Sequence, residues 1–192
     1  MTFRARAAAG VFITALLAFS AASADDEDAL ASGEILVHSE SVPGSDLPKV
    51  VVRGVIDAPP AKVWTIVSDC DVFEERLPRI RSARVLEQTD RGPICEVIVA
   101  LPFPLSDLRA KTRAVHIEGP PRWSRTWTLI EGDYEVNDGS WVLESFRGDP
   151  NRTLATYSVH AVPHSAVPAW ARRRAQESSM PDIIERLRRE TR

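Results

Sequence analysis

The chain has 192 residues, enough for one domain, with 24 basic and 27 acidic side chains and a net charge of −3. That mildly acidic balance gives no global electrostatic reason to hold nucleic acid. No four ligands stand at the short spacing a structural zinc site needs, and no Gly-rich phosphate loop, His-Glu-x-x-His or Gly-x-Ser-x-Gly occurs.

Residues 1–24 read as a signal peptide. Arg4 and Arg6 give a positive start, Gly10 to Phe19 an apolar core, and Ala22-Ser23-Ala24 a small-residue cleavage site. The apolar run is shorter than the roughly 20 residues a membrane span needs. No cysteine follows the site for lipid attachment, so the expectation is an exported, soluble, periplasmic protein. Its mature form would carry 22 basic and 27 acidic residues, a net charge of −5. Residues 25–32 are acidic and lack apolar periodicity, which predicts a flexible segment. The domain proper is expected over 33–192.

Ile35 and Val37 lie in a first strand that ends at Pro43-Gly44-Ser45. Val50 to Val55 alternate as a second strand, stopped at Ala58-Pro59-Pro60 because proline has no N–H to donate. Pro60 suits the first turn of a helix, and Val63, Trp64 and Val67 share one helical face. Strands follow at Arg84 to Gln88, Ile94 to Leu101 and Thr112 to Glu118, punctuated by Asp90-Arg91-Gly92-Pro93 and Gly119-Pro120-Pro121. Later strands are predicted at Trp123 to Ile130, Glu131 to Val136, Ser140 to Phe146 and Thr153 to Val162, with turns at Asn137-Asp138-Gly139 and Gly148 to Asn151.

Trp123, Trp127 and Leu129 share one strand face, Trp141 and Leu143 another, and Ala155, Tyr157, Val159 and Ala161 a third. One side of an antiparallel sheet is therefore rich in aromatics and must be covered. The stretch Val167 to Arg189 is the element long enough to cover it, with Trp170 on its apolar face and a kink at Pro181. Cys70 and Cys95 can pair in an oxidising compartment or stand as two buried thiols in a helix and a strand.

Gly54-Val-Ile-Asp-Ala-Pro-Pro-Ala-Lys-Val-Trp64 resembles the opening of START-related domains of the helix-grip (Bet v 1-like) superfamily, particularly bacterial secreted START-like proteins. Leu77-Pro78, Leu101-Pro-Phe-Pro-Leu-Ser-Asp107, Gly139-Ser-Trp-Val-Leu-Glu144, Thr153-Leu-Ala-Thr-Tyr157 and Val167-Pro-Ala-Trp170 continue the likeness in order, from about Gly33 to Arg192. One departure is Leu108-Arg109, where the family often has Arg-Asp. The resemblance implies an α+β helix-grip fold. A curved antiparallel sheet would wrap a long C-terminal helix around an internal hydrophobic cavity. Members bind lipids, sterols, quinones and other apolar molecules, and some relatives are cyclases or hydrolases.

Trp127, Trp141, Tyr157 and Trp170 are the candidate ligand-binding residues, either lining a cavity or filling a core. Arg113 is a candidate hook for a polar headgroup if its strand face is the inner one, and a solvated sheet edge if not. His116 and His160 fall on the polar faces of their strands, and no histidine stands at a motif spacing from a nucleophile, so no catalytic residue, metal site or cofactor is assigned. Arg172, Arg173 and Arg174 give the last helix a basic surface, either a wet helical face or a transient contact with anionic lipid. The function read from the sequence is binding of an apolar small molecule or lipid, for transfer or sequestration. The alternatives are a cyclase or hydrolase in the same cavity, and a protein-interaction module with a solid core.

Overall fold

The computed structural model describes residues 24–164, 168 and 179–192. Residues 1–23 of the predicted leader, Trp170 and Arg172 to Arg174 lie outside the described residues. The elements are α1 (Ala24–Ala31), β1 (Leu36–Glu40), β2 (Lys49–Ile56), α2 (Pro60–Val67), a 3-10 turn (Cys70–Val72), α3 (Phe73–Arg76), β3 (Ile80–Thr89), β4 (Gly92–Val99), β5 (Leu108–Ile117), β6 (Arg122–Gly132), β7 (Tyr134–Phe146), β8 (Asp149–Pro163) and α4 (Met180–Glu190). Eight antiparallel strands form one curved sheet in the order β1-β2-β8-β7-β6-β5-β4-β3. Register shifts at Ile80/Ser82, Val85/Glu87 and Lys111/Thr112 mark bulges, which bend strands.

The order explains what α2 is for. β2 is second from one edge of the sheet, and its successor β3 forms the opposite edge, so α2, the 3-10 turn and α3 carry the chain across. Pro60 starts α2 where its missing N–H costs nothing, and Ser68 closes it by donating its hydroxyl to the Trp64 carbonyl at 2.7 Å. Val63, Trp64, Ile66 and Val67 are buried. With Ile184 and Leu187 of α4 they pack on Val52, Ile56, Leu143 and Ala155. Gly54 makes the α4 contact possible, because a Cβ there would lie 2.6 Å from Ile184 Cγ2.

Two sequence expectations are corrected. Residues 25–32 are not a loose end: 24–31 form α1, and Leu30 is fully buried against Val55 and Phe146 on the sheet's convex side. Asp28 pairs with Arg147 at 2.6 Å and Asp26 with Arg53 at 3.7 Å, partners that local composition cannot reveal. Nor is Asn137-Asp138-Gly139 a turn, since β7 runs straight through it and the β6–β7 turn falls at Gly132-Asp133. Gly139 is there for packing. A Cβ at that position would collide with the Trp127 ring and the Ser158 carbonyl. Among the described residues no helix is long and apolar enough to cross a membrane.

Candidate functional site: a hollow beneath the last helix

Where α2 and the C-terminal half of α4 stop, the concave face is left unfilled. Two adjoining lobes of about 230 and 280 Å³ share Tyr134, Tyr157, Ala161, Met180 and Ile183 among their walls. The inner lobe reaches Phe73, Thr112, Arg125 and Trp141. The outer lobe runs to Leu47, Leu101, Pro102 and Pro163 at the sheet's rim. Phe103, next on that rim loop, is 94% exposed.

Three of the sequence-predicted site residues come together here. Trp127 stacks on Tyr157 with ring centroids 5.8 Å apart, and Tyr157 tilts against Trp141 at 4.7 Å. All three line the inner lobe. The Trp127 indole donates to Asn137 Oδ1 at 3.2 Å, so its polar edge is satisfied within the wall. Burial raises the pKa of Tyr157, and the nearby Tyr134 adds to the rise; burial also raises Tyr134. Both phenols therefore stay protonated at neutral pH and can donate to a guest.

Arg113 is not in the site. The inward row of β5 is Leu108, Ala110, Thr112, Ala114 and His116, which leaves Arg109, Lys111, Arg113, Val115 and Ile117 on the outer face. Arg113 is exposed there. In the same outer row, Arg109 donates to Glu96 at 2.7 Å and to Glu131 at 3.2 Å. The Arg109 hydrogen bond holds the Glu96 carboxyl below its usual range. Leu108-Arg109 therefore divides between the two faces, Leu108 lining the outer lobe and Arg109 pairing outside.

The buried cation is Arg125, which the sequence reading passed over. It sits between Trp123 and Trp127 in the inward row of β6, only 3% exposed. Its Nη1 donates to the Ser68 carbonyl at 2.6 Å, and Nη2 lies 3.0 Å from Cys70 Sγ and 3.4 Å from Cys95 Sγ. Those cysteines form a disulfide joining the turn after α2 to β4, which settles their pairing. The guanidinium also lies 5.2 Å from the Phe73 ring centroid.

His116, placed by alternation on a wet face, instead turns inward opposite Arg125 and meets the Trp64 ring edge-on at 5.1 Å. Burial, reinforced by the Arg125 charge, pushes its pKa down to about 4. The ring is neutral at pH 7, and its Nε2 has no hydrogen-bond partner. His160 is as expected, an outer-face residue: its Nε2 lies 3.0 Å from Ser45 Oγ and 3.1 Å from the Leu47 carbonyl. No histidine or carboxylate stands among the described residues lining either lobe.

A family model described as polyketide cyclase / dehydrase and lipid transport matches residues 56–188. No curated protein sequence matches the chain. Among solved structures, a STAR-related lipid transfer protein from Xanthomonas axonopodis superposes with a TM-score of 0.70 at 18% identity, covering 82% of this chain and 93% of that one. Human STARD10 gives 0.67 at 12% identity, covering 89% and 80%. The Zhui aromatase/cyclase of a Streptomyces species gives 0.53 at 17% identity, covering 74% and 87%. At such identities these likenesses concern the fold, a START-like helix-grip domain.

Proposed function

Because the chain belongs to the family described as polyketide cyclase / dehydrase and lipid transport, we propose that it encloses an apolar small molecule or lipid between its sheet and α4, and transfers or sequesters it in the periplasm. The observation that carries this reading is the hollow itself. Trp127, Trp141 and Tyr157 stack along its wall and leave about 230 and 280 Å³ open beside them. A solid-core interaction module has no use for that space. Each methylene buried there is worth about 0.8 kcal/mol, so a chain-like guest can leave a membrane if the walls replace the contacts it gives up.

Exchange with a membrane fits the same reading. Phe103 is an apolar side chain held in solvent on the loop that borders the outer lobe. Arg172, Arg173 and Arg174 would add attraction to anionic headgroups, about 1 kcal/mol each close to the surface. The competing reading is a cyclase or hydrolase using the same cavity. It needs an acid or base beside the guest, and the described walls offer tyrosines and arginines but no histidine or carboxylate.

Native mass spectrometry of protein purified under mild conditions is expected to show a retained lipid-like adduct. Ala161, small and shared by both lobes, is the place to block it. Ala161→Trp should abolish the adduct while the protein still unfolds cooperatively. Persistent absence of any apolar adduct from the unsubstituted chain, after incubation with membrane extract, overturns the proposal.

A further inference from the structure

Among the described residues, the cavity's one deeply buried ionic group is Arg125, and it says what kind of guest the cavity suits. Resting on the reading just given, we propose that the guest is an amphiphile with an anionic head, a carboxylate or a phosphate, and that Arg125 receives that head at the inner end of the cavity.

Several arginines nearer the surface are matched with carboxylates, among them Arg109 with Glu96 and Glu131, Arg147 with Asp28, and Arg152 with Asp57. Arg125 is far more buried than any of these, yet no carboxylate lies within 4.0 Å of it among the described residues. Its contacts are a carbonyl, two disulfide sulfurs and the face of a phenyl ring, and none of these carries a formal charge. A disulfide sulfur is a weak acceptor. Cross-strand His116 is neutral and offers no compensation. Asp69 favours the charged form but makes no ion pair with it. Burial lowers the guanidinium pKa only to about 10, so it remains a cation at neutral pH.

A buried cation without a counter-charge costs several kcal/mol, and replacing such a group with an apolar one is often neutral or stabilising. A protein needing only a packed core would do better with methionine at this position. The guanidinium also lines the inner lobe beside Thr112 and Trp127. It is planar, and two of its N–H groups can grip two oxygens of one head. The Ser68 carbonyl and the disulfide fix its orientation from behind, so little order has to be gained when the head arrives. The rest of the lining is mostly apolar, which places the tail along Tyr157, Ile183 and Met180 toward the rim.

The test compares probes with one twelve-carbon chain and different heads: dodecanoate, dodecyl phosphate, dodecanol and dodecyltrimethylammonium. Binding to the full chain is read by calorimetry below the micelle concentration. An anion is expected to bind about 10- to 100-fold tighter than dodecanol, the range of a charge-assisted contact, and the ammonium more weakly than dodecanol. Preference for dodecanoate assigns a fatty-acid-like head, and preference for dodecyl phosphate a phospholipid-like one. Arg125→Met should erase the difference between anions and dodecanol, and Arg125→Lys should keep part of it. If Arg125→Met does not fold, the head-group ranking of the unsubstituted chain decides alone. Dodecanol or the ammonium binding as tightly as the anions overturns the assignment of the head but leaves the cavity reading standing. So does anion preference that survives Arg125→Met. Failure of all four probes to bind overturns both.

Discussion

One set of strands serves two different ends of the molecule. Along β8, Ala155 is sealed beneath α2 and α4, whereas Tyr157, Val159 and Ala161 face open space. Along β7, Leu143 is fully buried, Trp141 marks the boundary, and Asn137 and Tyr134 stand in the cavity wall. The backbone pairing is unbroken across this boundary, with Leu143 opposite Ala155 and Trp141 opposite Tyr157. The difference is therefore made by what lies on the sheet. At one end Trp64, Ile184 and Leu187 pack directly on the strands, and at the other Phe73, Met180 and Ile183 stand across a gap from them. Hydrogen-bonded strands make the platform, and burial decides where it is stable and where it is available.

The largest expected contrast is in the cost of removing methyl groups. Leu143→Ala at the filled end should cost about 2–5 kcal/mol, because a new void opens in a close-packed core. Val159→Ala at the open end should cost about 1 kcal/mol, since it only widens an existing space. Urea unfolding of the two variants measures both, and equal losses would erase the distinction between the ends.

The open end has a covalent staple that the filled end lacks. Cys70 and Cys95 are 25 residues apart in sequence, and they pack with Phe73, Ile80 and Val97 beneath the inner lobe. Closing a loop of that length restricts the unfolded chain by about 3 kcal/mol in the chain-entropy model. Reduction should lower the denaturation midpoint accordingly and weaken guest binding, because Arg125 leans on both sulfurs. Reduced protein with unchanged stability would show that the open end holds its shape without the staple.

The smallest effect concerns the boundary between the ends. His116 has its folded pKa near 4, below the ordinary 6.5, so between those values the unfolded chain binds the extra proton. Stability should therefore fall as pH drops from about 6.5 to 4, by less than about 2 kcal/mol given a half-buried ring. His116→Gln should flatten that limb in unfolding curves taken at pH 7 and 4.5. An unchanged slope would mean that water reaches the ring.

Much of this arrangement is legible in the residues. Pro59-Pro60 ends β2 and starts α2 by backbone chemistry alone, and the rows containing Trp127, Trp141 and Tyr157 follow from strand periodicity. Arg125 was equally accessible by periodicity. Positions 123, 125, 127 and 129 form one row, and a charge in a row of tryptophans is the signal of a buried polar site. Val115 and Ile117 make the row of Arg113 look like the dry one, although Ile117 is 64% exposed. What could not be read was supplied by distant sequence. The docking of α1 depends on Arg53 and Arg147, and the role of Gly139 depends on where Trp127 lies across the strand pair. Turn-forming composition at Asn137-Asp138-Gly139 gave way to that packing.

The crossover from β2 to the far edge bears on the order in which the chain can assemble. β3 to β6 form a meander of successive hairpins, each strand meeting a partner that is close in sequence. β2 must wait for β8, since Val50 pairs with Val159, and the bare patch at Gly54 must wait longer still for Ile184. On a ribosome, where the amino terminus emerges first, the receptacle can take shape before the mortar that locks it. The close seat of Ile184 on Gly54 is the last of these contacts to become possible, and a chain cut short of α4 would keep the meander and lose the keystone.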